Sequence, residues 1–443
     1  MHLKVEFSKP LPFKEFQRED FSLPQSYKKS FVPQWVYLQE ALPVVHGLLK
    51  HAAAAQKIFN KEPRPILKEE ALGFEPLKED LWSLAFWATV VKKYGTVENL
   101  YEALSARRKE IEKLKNKYRY LIENSKSYSK LYETLASCST SISYDGTFVI
   151  DSERLSPISD GISGSYFLSD NQRVIRFVVK PIDEDGGCLN NRKGAATPFE
   201  MSPFRDHLPL YRSAFREAVT YQIAASIGVG SVAPRTVLAI LQSDSFYDLS
   251  DGVFLKEMSR YEELCGKPDR EKLCSVQEFV PNAKTLFEAL QELQSIGLSD
   301  AEIAARFDQG DFEDANILLW TTCETDGHSG NFLVYPKGID EIGNEILGLK
   351  KIDNAWAFPD KNKQLRNHLT HLPNAQLPLS EQGKAKIAKI DAERLSDQLR
   401  AFGLESAIPA LKQRISLLKE YAARPGITLK EINKLMSKIG NKQ

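Results

Sequence analysis

Thr325-Asp326-Gly327-His328-Ser329-Gly330-Asn331-Phe332, followed by Lys351-Ile352-Asp353-Asn354-Ala355, is the stretch whose reading decides the fold. Asp326 and Asn331 lie five positions apart, and Asp353 ends an apolar run. Phosphoryl transfer needs a carboxylate near the acceptor hydroxyl and oxygen ligands for Mg²⁺. Asp326 meets the first need, and Asn331 with Asp353 meets the second. His328, two residues after Asp326, is placed to shuttle a proton or to stabilise charge on the transferring group. Taken alone, the segment also reads as a plain loop, because Asp, Gly and Asn all favour turns.

Working outward, a Gly/Ser loop precedes this stretch in Asp160-Gly161-Ile162-Ser163-Gly164-Ser165-Tyr166-Phe167. Glycines let the backbone approach a ligand, and consecutive amides with the Ser163 and Ser165 hydroxyls can cradle phosphate oxygens. On its own such a loop usually means only a tight turn. Lys180 closes the apolar run RVIRFVVK, placed to reach nucleotide phosphates. A lone strand-end lysine more often extends into water. Glu217, in SAFREAVTYQIAASIG, lies on an expected helix, where a glutamate can pair with such a lysine. Judged singly, most of these features favour the bland reading. A Gly/Ser loop, strand lysine, helix glutamate, Asp-x4-Asn loop and strand-end Asp in this order are the parts of a two-lobed kinase.

The remainder of the chain is compatible with that. Its 443 residues, 42% hydrophobic and 27% charged, describe an ordinary globular protein with chain for two or three domains. Equal numbers of basic and acidic side chains, 59 each, argue against a nucleic-acid protein held by bulk positive charge. Five scattered cysteines without CxxC spacing argue against disulfides or a zinc module. No secretory signal is visible at the N-terminus. The longest apolar stretch, residues 81–91, is about half of the roughly 20 residues that a spanning helix needs. Residues 1–35 read as an irregular arm and 36–142 as a helical region of undetermined role. The basic run 106–130 reads as a solvated helix face, with an anionic surface as the alternative. Residues 143–282 read as a β-rich lobe, with strands at 147–150, 165–168, 174–179, 237–241 and 275–280. One helix, 210–227, is inserted after the third of these. Residues 283–443 read as a mainly helical lobe with a strand pair near 332–335 and 347–352. Capping boxes are expected at Ser299/Glu302 and Thr428/Glu431. The fold class is therefore α+β.

From about 159 to 382 the sequence resembles the phosphatidylinositol 3-/4-kinase superfamily, and within it type II phosphatidylinositol 4-kinases. The resemblance rests on GISGSYF, VVKPIDEDGGCLN, VAPRTVLAIL, TDGHSGNFLV, IDNAWAFP and LPNAQLPLSEQ. The Thr-Asp-Gly-His-x-x-Asn-Phe turn also resembles HipA-type serine/threonine protein kinases. The resemblance implies a protein-kinase-like fold and ATP with Mg²⁺ as cofactors. It assigns Lys180 to the ATP phosphates, Glu217 to its helix partner, Asp326 to the catalytic loop, and Asn331 and Asp353 to the metal. Gln277, Glu278, Phe279 and Val280 fall where these kinases place the hinge that binds adenine through backbone groups. A phosphoinositide hydroxyl is the implied substrate, with a protein hydroxyl, or a pseudokinase scaffold, as alternatives. A cytoplasmic or peripheral-membrane location follows, with delivery into a host cell if the source is bacterial. Three features depart from type II enzymes. Asp326-Gly327 replaces Asp-Arg, and Cys188 stands alone where those enzymes carry an acylated cluster. The segment after Asp353 carries Lys361, Lys363, Arg366, His368 and His371 instead of aromatics.

Overall fold

The β-rich lobe forms because its strands are short, apolar and alternating, and the sheet they build has two buried faces. A computed structural model describes residues 97–123, 129–186, 188, 190–192, 208, 211–248 and 270–440. The expected arm, the first part of the expected helical region and the apolar stretch 81–91 lie outside the described residues. Helices α1 (Val97–Glu123) and α2 (Ser129–Cys138) come first. Strands β1 (Ser141–Ile142), β2 (Phe148–Val149), β3 (Leu155–Pro157), β4 (Tyr166–Ser169) and β5 (Ile175–Pro181) follow. Helix α3 (Ser213–Ser226) then leads to β6 (Thr236–Gln242) and β7 (Glu271–Glu278). The sheet has the order β1-β2-β6-β7-β5-β4-β3, and only β2 against β6 is parallel. It is larger than the sequence suggests, and α3 follows its fifth strand rather than its third. The unforeseen strands β1 and β3 are two and three residues long, too short for a period-2 signal to register.

Alternation sorts the side chains. Val237, Ala239 and Leu241 of β6, with Phe177 and Val179 of β5, pack against Leu131, Leu135 and Cys138 of α2. Leu238 and Ile240 turn to the other face, toward α3. This period places Lys180 on the α3 face, directly across from Ser275 of β7. Helix α1 lies along the same lobe, with Tyr118 stacked on Phe215 at 4.2 Å. Its basic run is partly consumed there: Arg108 pairs with Asp248 at 2.7 Å, and Arg119 with Glu271 at 2.6 Å. Lys115 is buried near Glu271, whereas Lys109, Lys113 and Lys117 face outward.

The second lobe begins with β8 (Lys284–Thr285), α4 (Leu286–Ser295), α5 (Asp300–Arg306) and α6 (Gln309–Thr322). Strands β9 (Phe332–Ile339) and β10 (Glu345–Lys351) and helices α7 (Glu381–Ala388), α8 (Ala392–Ala401), α9 (Ile408–Ala422) and α10 (Leu429–Ile439) complete it. Both expected capping boxes are present. Helix α6 is the spine: every residue from Asp311 to Thr322 is buried, and Asp308 caps its first turn. Burial on all sides explains why α6 shows no polar face in the sequence. One apolar core joins α3 to α6, α9 and α10. The architecture is a two-lobed, protein-kinase-like α+β fold.

Candidate active site

Three local structures converge on one cleft. Lys180, at the end of β5, donates from Nζ to Glu217 Oε1 at 2.7 Å and to Asp353 Oδ1 at 2.9 Å. The other Glu217 oxygen, Oε2, accepts the Asn354 backbone N–H at 2.9 Å. One buried α3 carboxylate thus ties strand lysine and metal-side loop together. Burial alone would lower the Lys180 ammonium, but the Asp353 and Glu217 carboxylates outweigh it and raise its pKa. Burial pushes Asp353 upward, yet the Lys180 charge prevails and holds its carboxyl below the ordinary range. Asp353 remains 47% exposed, open to the cleft, whereas Glu217 is 2% exposed. Ser163, Asp185, Ser213 and Ser275 line the same cleft beside Lys180 and Glu217.

Helix α6 ends in a left-handed cap at Cys323 (φ 53°), which turns the chain into the Asp326 loop. The β9–β10 hairpin pairs Phe332 with Lys351, and Ile352 donates its N–H to the Asn331 carbonyl at 3.0 Å. That register brings Asn331 and Asp353, distant in sequence, to the same end of one ribbon. Asn331 donates from Nδ2 to the Asp326 carbonyl at 2.7 Å and to Asp326 Oδ2 at 3.3 Å, so its amide oxygen is the atom suited to a cation. His328 accepts the Gly330 N–H on Nδ1 at 3.0 Å, which puts the imidazole proton on Nε2, 3.8 Å from Asp326 Oδ2. The donor set suits Mg²⁺, which takes one or two protein oxygens and completes its shell with phosphates and water. Among the described residues no group of three or more carboxylates, histidines or cysteines is arranged to hold a metal.

Two expectations change in detail. The Gly/Ser loop rests on the acidic run after Lys180 rather than standing open. Gly164 donates its N–H to the Glu184 carbonyl at 2.8 Å, and a Cβ on Gly164 would sit 2.4 Å from Glu184 Oε2. Ser163 donates its hydroxyl to Asp185 at 2.7 Å. Gly161, by contrast, needs its glycine for a φ of 77°. In the hinge segment, Gln277 and Glu278 belong to β7, and Gln277 hydrogen-bonds Thr236 through its side chain. The N–H groups of Glu278 and Phe279 donate to the Arg235 and Arg176 carbonyls, both at 2.8 Å. Neither amide is free for a base, which leaves Val280 and the carbonyls of the segment.

In the sequence, several residues around this loop stand out only as surface cations, or not at all. Arg366 reaches Asp326 Oδ1 at 3.2 Å, and a Cβ on Gly327 would lie 2.3 Å from the Arg366 carbonyl. His368 accepts the Ser329 N–H on Nδ1 at 3.2 Å, and burial followed by the nearby Arg366 charge lowers its pKa. His371 packs edge-on against it, with ring centres 5.6 Å apart. Glu324 and Lys351, both wholly buried, lie behind the loop at 3.6 Å. The Arg366 and His368 contacts had a signal, the cations after Asp353. Glu324 and Lys351 had none, since both read as ordinary polar residues. Cys188 is buried, with 1% of its surface exposed.

Comparison with known proteins places lipid kinases among the relatives of this chain. Phosphatidylinositol 4-kinase gamma 6 of Arabidopsis thaliana is 27% identical over 289 residues, 64% of this chain and 43% of that protein. Phosphatidylinositol 4-kinase type 2-beta of Mus musculus is 30% identical over 255 residues, 51% of this chain and 54% of that protein. The chain resembles phosphatidylinositol 4-kinases. It spans about half the length of the curated relatives it matches. No family model matches. Among solved structures, one titled "The structure of hydra Fam20 with sugar" aligns over 72% of this chain and 92% of its own, with a TM-score of 0.39 and 12% identity.

Proposed function

We propose that this chain is an ATP- and Mg²⁺-dependent phosphotransferase that phosphorylates an inositol hydroxyl of a phosphoinositide. The observation that carries the reading is the Lys180–Glu217–Asp353 junction, which joins both lobes at the mouth of the cleft. Lys180 is the charge for the nucleotide phosphates, and Glu217 keeps it aimed. Asn331 and Asp353 are the residues that would hold Mg²⁺, which when bound neutralises charge on the phosphates. Asp326 orients the acceptor hydroxyl and takes its proton, with His328 Nε2 beside it. Such a site works by positioning and electrostatics, without a covalent intermediate. The phosphoinositide is supported by the similarity to lipid kinases and by the exposed Arg366 and His371 beside the Asp326 loop, with the exposed Lys361 earlier in the same segment. Among the described residues no helix is long and apolar enough to cross a membrane, so lipid contact is assigned to such surface cations.

The test is transfer of labelled γ-phosphate to phosphatidylinositol vesicles and, in parallel, to protein. Lipid product that disappears in Asp326→Ala and Asp353→Ala is the expected result. Label on protein alone would replace the lipid substrate with a protein hydroxyl. Absence of Mg-ATP binding would make the chain a scaffold.

A further inference from the structure

Glu324 and Lys351 are both fully buried, and their side chains face each other at 3.6 Å. Each also holds backbone of a different catalytic loop. Glu324 Oε1 accepts the Asp326 N–H at 2.9 Å. Lys351 Nζ donates to the carbonyls of Ile352 at 2.6 Å and Asp353 at 3.1 Å. Asp353 itself has a φ of 55°, in the left-handed region that non-glycine residues adopt only when the surroundings hold them there. Glu324 Oε2 has no hydrogen-bond donor and lies 3.6 Å from the lysine nitrogen. Burying two charges is a poor route to stability, because desolvation offsets most of their attraction. The arrangement is better suited to fixing geometry.

We infer that Glu324 and Lys351 act as a positioning strut. It sets the Asp326 loop, on the acceptor side, against the Asp353 loop, on the nucleotide side. The inference rests on the functional reading above for the roles of the two loops, but not for the mechanical link between them. Other ties cross the same gap, from Ile352 N–H to the Asn331 carbonyl and from the Thr325 hydroxyl to the Trp356 carbonyl at 3.1 Å. The strut differs from these in having a side chain at each end, so it can be removed while the hairpin is kept.

The experiment uses the full chain as wild type, Glu324→Gln, Lys351→Met and the double variant, with two readouts. The first is amide hydrogen exchange of peptides covering 324–332 and 352–358, with no nucleotide present. The strut predicts that each single variant speeds exchange in both peptides, including the one it does not touch. Loosening confined to the variant's own loop overturns the inference. The second readout is steady-state transfer. The double variant, which leaves no unpaired buried charge, should regain much of the unfolding temperature lost by Lys351→Met. Its kcat should stay roughly 10- to 100-fold low, with KM for ATP within about twofold, as misplacement of reacting groups requires. Recovery of kcat together with stability would make the pair a packing feature and overturn the inference. If the wild type transfers no phosphate, the functional reading fails, and the exchange readout still decides whether the two loops are coupled.

Discussion

Lys180 and Lys272 occupy neighbouring strands, β5 and β7, on opposite faces of one sheet, and each contacts two carboxylates. Lys272 is 1% exposed and donates to Asp183 at 2.8 Å and Glu184 at 2.9 Å, with Tyr166 completing Glu184 at 2.7 Å. Lys180 is 18% exposed, and one of its partners, Asp353, opens to solvent. Burial opposes both ammonium groups, and carboxylate pairs raise both above the ordinary lysine pKa. The chemistry is the same and the access differs. A sealed lysine with all its bonds satisfied holds a lobe together. A lysine whose partner faces a cleft can exchange that partner for a ligand.

The largest expected effect falls on the sealed site. Lys272→Met leaves Asp183 and Glu184 buried without their cation and should lower unfolding free energy by about 3–5 kcal/mol in chemical denaturation. Lys180→Met should reverse the pattern. Phosphate transfer should fall by about 10²–10³-fold, while the denaturation midpoint moves less than for Lys272→Met. Equal destabilisation by the two variants would erase the distinction.

A third lysine, Lys351, extends the comparison through its partner. Burial pushes the Glu324 carboxyl up to about 6 from 4.5, with Lys351 opposing. Between those values the folded protein holds a proton that the unfolded chain releases, so stability falls as pH rises through the window. The full change is about 2 kcal/mol, and Glu324→Gln should flatten that part of a stability-versus-pH curve. A smaller effect links the two faces. Gly164→Ala would press on Glu184, the partner of Lys272, and should destabilise by about 1–3 kcal/mol. Gly161→Ala, strained only by its positive φ, should cost about 1–2 kcal/mol. Thermal unfolding of the pair checks the order.

The legible parts of this molecule are those whose signal is local. The strand runs around Lys180 and Val237, the helix carrying Glu217 and both capping boxes follow from patterns within a few residues. The Asp326, Asn331 and Asp353 set was legible because the residue types and their order are constrained by chemistry. The contacts that seat them were not. Lys272 sits in the run EKLCSV, where a strand lysine ordinarily signals solvent, and only the distant Asp183 and Glu184 make its burial tolerable. Gly164 looks like a phosphate-loop glycine, but the Glu184 side chain occupies the place of its missing Cβ. The hinge amides of Glu278 and Phe279 are taken by strand neighbours that no local pattern reveals. In each case the deciding partner lies on another element, so only tertiary structure supplies it.

Gly327 carries a consequence for how such sequences can diverge. The carbonyl of Arg366 stands where any side chain at 327 would begin, and Arg366 itself already supplies a guanidinium to Asp326. An Asp-Arg loop of the kind found in most lipid kinases is therefore not one substitution away. The 366–368 backbone would have to withdraw first, and the cation now lent from the later segment would become redundant. In this fold the residue at 327 and the course of the 366–368 backbone are therefore set jointly.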